Sequence, residues 1–137
     1  MKEIKNDEYY LNKMLIYIEY IMQYMDNIRK DNSVLKPNDQ ASDGVIYKFI
    51  QLREESANLS EEVLNNHKTL QKNVKLLNGF RNRLTHDYDN VSYTFFDEII
   101  ESDLPRLKKE ILKAIKKMIN IYTYKIKCTL EYCSLLD

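Results

Sequence analysis

Two glycines and two prolines in a chain of 137 residues leave little material for tight turns. That scarcity argues against a sandwich or barrel of short strands and for long, uninterrupted helices. Tryptophan is absent, and no apolar run approaches the length needed to cross a bilayer, so no membrane segment is expected. The 21 basic and 21 acidic side chains cancel, which removes any global field of the kind that marks a nucleic-acid binder. The two cysteines, Cys128 and Cys133, stand five apart in a helical pattern, too far round the axis to bridge each other. Free thiols without a signal peptide fit a reducing, cytoplasmic setting. No Cys/His spacing suggests a metal site, and no cofactor is expected.

What remains is helical periodicity. Apolar residues at 44% and charged residues at 31% make an ordinary globular balance, and the length suits one domain over residues 1–137. From about Asp7 to Arg29, Leu11, Met14, Leu15, Ile18, Ile21, Met22, Met25 and Ile28 recur at three- and four-residue steps, an amphipathic helix. Five tyrosines flank that stripe (Tyr9, Tyr10, Tyr17, Tyr20, Tyr24) and suit half-buried packing or a subunit interface better than base stacking. The polar stretch Asp31 to Gln40, with Pro37, reads as a loop. Ser42 or Asp43 can cap a second helix whose inward residues include Val45, Phe49 and Leu52 and which runs to about Leu59.

Ser60-Glu61-Glu62 is a fresh helix start, and His67 in the polar run after it reads as a surface residue. A third helix gathers around Val74, Leu77, Phe80 and Leu84, and the chain then turns through Asp87–Asn90. Ser92 can cap a short helix with Phe95, Phe96, Ile99 and Ile100 inward. Ser102-Asp103-Leu104-Pro105 opens a last helix, with proline in the first turn where its missing N–H does no harm. Its apolar seam continues through Leu107, Ile111, Ala114, Met118, Tyr122 and Ile126. The expected fold is all-α: an up-and-down four-helix bundle with an additional short helix.

Chemistry concentrates in Arg81-Asn82-Arg83-Leu84-Thr85-His86-Asp87-Tyr88, where two guanidiniums, an amide, an imidazole and a phenol share the end of one helix. At about 100° per residue, Asn82 and His86 share a face and Arg83 neighbours His86, whereas Arg81 lies about 140° from His86. Loosening near Thr85, or a second copy across a two-fold axis, would bring Arg81 and His86 to one cleft. These groups suffice to cleave RNA: imidazole takes the proton of a ribose 2′-OH, and guanidinium stabilises charge on the phosphoryl oxygens. Asn82 can hold the imidazole tautomer or donate to a phosphate oxygen. The same residues also suit a plain helix end, where cations complement the dipole, and pattern alone leaves both open. Between Leu104 and Lys127, eight basic residues face the single acid Glu110, and Lys113 and Lys117 are candidate RNA contacts along that track.

The Arg-x4-His-x-Tyr spacing of Arg81, His86 and Tyr88 resembles the signature of HepT-like proteins of the HEPN superfamily. Gly79-Phe80 before it, and Asp97 to Lys108 after it, are similar to that family's surrounding sequence, and Gln51 to Glu62 is a looser match. The resemblance implies a homodimeric HEPN-like helical bundle acting as the ribonuclease toxin of a type VII toxin–antitoxin pair. Its antitoxin would be an MntA-like minimal nucleotidyltransferase. Arg81 and His86 would be the ribonuclease pair, Asn82 the polar residue that follows the arginine, and Tyr88 the acceptor of an AMP group. Arg83 takes its place from the helix geometry alone. An alternative from a different class is a non-catalytic binding subunit of the nucleotidyltransferase.

Overall fold

The structure, a computed structural model, describes residues 6–86 and 93–136; within these, the side chains at 81, 84–86, 94, 95 and 132–136 are outside the description. Five helices follow in order: α1 (Asp7–Lys30), α2 (Gln40–Ser56), α3 (Glu61–Asn66), α4 (Lys68–His86) and α5 (Tyr93–Leu136). Among the described residues there is no strand.

Contacts between helices fix their directions. Lys48 Nζ lies 5.1 Å from the Tyr20 ring, and Ser60 N donates to Asp7 Oδ1 at 2.8 Å, so α2 descends as α1 rises. Arg29 reaches Asp97 at 3.0 Å, while Glu19 pairs with Lys108, so α5 is also antiparallel to α1. Arg53 Nε donates to Asn78 Oδ1 at 3.0 Å between α2 and α4, and Phe80 meets Phe96 between α4 and α5. Each neighbouring pair therefore runs in opposite directions. The result is the expected up-and-down four-helix bundle; its additional short helix is α3, not the one expected after Ser92.

The core is the sum of the stripes the sequence displays. On α1, Leu11, Met14, Ile18, Ile21, Met25 and Ile28 are all buried, and each such side chain contributes about 1.5–3 kcal/mol relative to exposure. Asn6 caps α1 by accepting from Tyr9 N at 3.1 Å, with Asp7 and Glu8 in the first turn and Arg29 and Lys30 in the last, in keeping with the dipole. Tyr10, Tyr17 and Tyr24 pack half-buried against the core, and Lys48 sits over the rings of Tyr17 and Tyr20. Most of this tyrosine flank thus packs against the core, while Tyr20 stays 42% exposed.

Both boundaries of α2 differ from the sequence reading, each for a local reason. The cap of α2 is Asp39, not Ser42 or Asp43: Asp39 Oδ2 accepts from Ser42 N at 3.1 Å and from Ser42 Oγ at 2.8 Å. Ser42 is fully buried inside the first turn, where its hydroxyl also accepts from Lys36 N at 3.0 Å. Helix α2 ends at Ser56, three residues before Leu59, where Ser56 Oγ donates to Arg53 O at 2.7 Å. Ser60 does open α3, accepting from Val63 N at 3.2 Å, and it is held as well by Asp7 from the start of α1.

The largest difference lies in α5. The short helix expected before Ser102 and the long one expected to begin there are a single helix of 44 residues, with Pro105 in its interior. Proline removes one backbone donor and normally breaks a helix. Here the apolar seam Phe96, Ile100, Leu104, Leu107, Ile111 and Ala114 is buried on both sides of it, while Pro105 itself faces solvent. Tertiary burial of six side chains outweighs one lost hydrogen bond and a helix-propensity cost of about 3 kcal/mol. The other end of the seam falls short. Burial stops at Ala114, Ile115 and Met118 are half-buried, and Ile121, Tyr122 and Ile126 are exposed. The reason is length: α5 extends about 66 Å and α1 about 36 Å, so α5 outruns its neighbours.

Candidate functional site

The end of α4 is held from beneath by aromatic rings. Leu70, Val74, Leu77 and Phe80 form its buried stripe. Phe80 packs edge-on to Phe96 of α5 at 4.0 Å between centroids and tilted against Phe49 of α2 at 5.0 Å, while Phe49 and Phe96 meet at 5.7 Å. Such ring pairs contribute about 0.5–1.5 kcal/mol each beyond their buried area. Two residues earlier, Asn78 accepts from Arg53 of α2. Because Phe80 immediately precedes Arg81, this three-ring wedge sets the rotation of the last turns. With Phe80 inward, Asn82 and Arg83 are both exposed.

Helix α4 stays helical through His86, so its regular spacing carries past Thr85. Asn82 and His86 therefore lie one turn apart on one face, and Arg83 and His86 are neighbours. Arg81 remains about 140° from His86 around the same axis. Their side chains, and all of Tyr88 with the turn at Asp87–Asn90 and the cap at Ser92, lie outside the described residues.

Lys113 and Lys117 are not brought to this end. Lys117 acts electrostatically on His67, at the start of α4, and Lys113 pairs with Glu110 one turn earlier on α5 at 3.4 Å. From His67 to His86 is about 28 Å along the helix. Lys113 and Lys117 thus lie toward the opposite end of α4 from the focal stretch. His67 itself is half-buried at the α3–α4 junction, not on the open surface as expected. Burial lowers its pKa from the ordinary value of 6.5, and Lys117 lowers it further, against an opposing pull from Glu110.

A cavity of about 410 Å³ opens between α4 and α5, lined by Arg83, Gly79 and Phe80 of the focal helix and by Ile99, Asp103 and Leu107 opposite. Asn73, also on its wall, has a buried Nδ2 with no hydrogen-bond partner. Sequence reasoning missed this feature. Gly79 was its signal: glycine within a helix costs about 1 kcal/mol relative to alanine, and a Cβ there would meet nothing within 4 Å. No close approach demands the glycine. Among the described residues, no group of three or more His, Cys, Asp or Glu side chains could hold a metal ion, and no helix is long and apolar enough to cross a membrane.

An antiparallel bundle that wedges one helix end on three phenylalanines and exposes Asn82 and Arg83 there defines a HEPN-like all-α protein. The family profile described as Ribonuclease HepT-like matches residues 14–114, and the chain belongs to the HepT-like ribonuclease family. That span runs from the first turns of α1 to the last buried residue of the α5 seam and includes the whole focal stretch. No solved structure matches the chain.

Proposed function

We propose that the protein is a metal-independent endoribonuclease toxin of a type VII HepT–MntA toxin–antitoxin pair. The observation that carries this reading is membership of the HepT-like ribonuclease family over a span containing Arg81, Asn82, His86 and Tyr88. His86 takes the proton of a ribose 2′-OH, and the freed oxygen attacks the adjacent phosphorus. The bond from phosphorus to the 5′-oxygen breaks, and that oxygen leaves with a proton. The products are a 2′,3′-cyclic phosphate and a 5′-hydroxyl. Arg81 stabilises charge on the non-bridging oxygens, and Asn82 holds the imidazole or the phosphate. DNA, without a 2′-OH, is not cut.

The regular helix through His86 favours a homodimer. Within one chain positions 81 and 86 lie about 140° apart around the axis of α4, whereas two copies across a two-fold axis pool two of each in one groove. One imidazole then serves as base and the other as acid. An MntA-like minimal nucleotidyltransferase acts as antitoxin in the cytoplasm: the Tyr88 hydroxyl attacks the α-phosphorus of ATP, pyrophosphate leaves, and the tyrosine carries AMP. The new anion occupies ground that an RNA phosphate needs.

Purified protein should cut single-stranded RNA and leave DNA of the same sequence intact. His86→Ala should abolish cutting and toxicity while sedimentation still reports a dimer. Protein that cuts no RNA and is harmless when expressed alone would return the reading to a non-catalytic nucleotidyltransferase subunit. Co-expression with the transferase should add AMP mass to the peptide bearing Tyr88, and Tyr88→Phe should prevent it; AMP on any other tyrosine removes Tyr88 from this role. Lys113 and Lys117 touch RNA only if the strand runs the length of α4, so their charge reversal should weaken binding in a salt-dependent manner without stopping cleavage of very short substrates.

A further inference from the structure

We propose that the cavity between α4 and α5 receives an unpaired nucleobase of the RNA strand whose phosphate is held at the end of α4. The inference rests on the ribonuclease reading and names a subsite beside it. The cavity is lined by the same helix that carries Arg81 and His86, and Arg83 is among its lining residues. Its volume, about 410 Å³, falls in the range of sites that enclose small ligands. Leu76, Leu77 and Ile99 give it apolar walls, against which the flat faces of any base can rest.

Two polar observations separate a base from an apolar side chain as the occupant. Asp103 on the α5 wall supplies an acceptor for a base amine. The lining includes Lys75 and Arg83, eight residues apart and so about 12 Å along α4, one on either side of Gly79. Cations flanking an apolar slot match a base with phosphates on both sides of it. Gly79 lies on the cavity wall, where a first side-chain carbon would meet nothing within 4 Å.

The test uses the purified full chain and the four ribonucleoside 5′-monophosphates, with inorganic phosphate as the control, followed by methyl and amide NMR shifts. Binding should perturb Leu76, Leu77 and Ile99 and should exceed binding of phosphate alone. Gly79→Leu, which adds bulk at the cavity wall, should weaken the monophosphates roughly 10-fold or more and leave phosphate unaffected. Leu76→Glu, on an exposed wall position, should do the same and serves where Gly79→Leu alters the fold. Monophosphates that bind no better than phosphate, or that bind wild type and both variants alike, overturn the proposal. So does a Gly79→Leu protein whose only change is its oligomeric state, which would give the cavity to a second copy. RNA cutting by wild type alongside any of these results leaves the enzyme standing and removes only the subsite. Failure of wild type to cut RNA removes the enzyme, while nucleotide titration still decides the cavity.

Discussion

The two halves of α5 carry the same kind of sequence and meet opposite fates. From Phe96 to Ala114 the apolar positions are buried, and from Ile119 to Leu130 residues of equal hydrophobicity stand 48–69% exposed. Periodicity is continuous across the boundary, so it does not separate them. What separates them is the presence of α1, α2 and α4 alongside the first half and their ending alongside the second. An amphipathic stripe states that a helix has a face to bury; only its neighbours decide whether the face is buried.

The most forceful way to break this comparison is to truncate one aromatic residue in each half. Phe96→Ala should cost about 3–5 kcal/mol of unfolding free energy, because it empties the wedge beneath the end of α4. Tyr122→Ala, 68% exposed on the same helix, should stay within about 0.5 kcal/mol of wild type. Equal losses in urea denaturation would show that the second half is packed after all.

Pro105→Ala comes next. In a continuous helix with an exposed proline, the substitution should raise stability by about 1–3 kcal/mol, the regained helix propensity being partly offset by a freer unfolded chain. A loss of stability would argue for two helices meeting at Pro105. Arg29→Ala cuts both ion pairs that fasten α1 to the front of α5, to Asp97 and Glu101, each at 3.0 Å. These pairs are partly solvent-exposed, so the expected loss is under about 1 kcal/mol and should shrink further in concentrated salt.

The smallest effect is a slope with pH. His67 has its folded pKa below 6.5, so between that lowered value and 6.5 the unfolded chain binds more protons than the folded one. Stability from this group is therefore present above pH 6.5 and is lost as pH falls through that window. His67→Gln should flatten the slope, and Lys117→Gln should move the His67 titration upward in NMR.

Much of this architecture is legible in the residues. The α1 stripe is buried as its spacing requires, and Ser60 caps a helix as its flanking glutamates suggest. Asp39 was missed because Gln40 and Ala41 carry no apolar signal, so the first turn of α2 is invisible to periodicity, and the buried Ser42 mimics a cap. Pro105 was misread because a local rule for helix starts was applied where a tertiary seam prevails. At the site, the rotation of α4 follows from Phe80, and Asn82 and Arg83 face outward as helical angles place them. The cavity at Asn73 and Asp103 joins residues thirty positions apart, and no spacing rule connects them. The distance between Lys117 and the focal stretch was equally hidden, since it depends on α5 running antiparallel to α4.

The overhang of α5 has a practical use. Cys128 is a free thiol on the part of the helix that leaves the bundle behind, exposed and remote from the wedge. With Cys133→Ser in place, a spin label there would ride on an unsupported rod without touching anything that folds the chain. Two such labels in a paired molecule would report the angle at which the copies cross, turning a stoichiometry into a geometry.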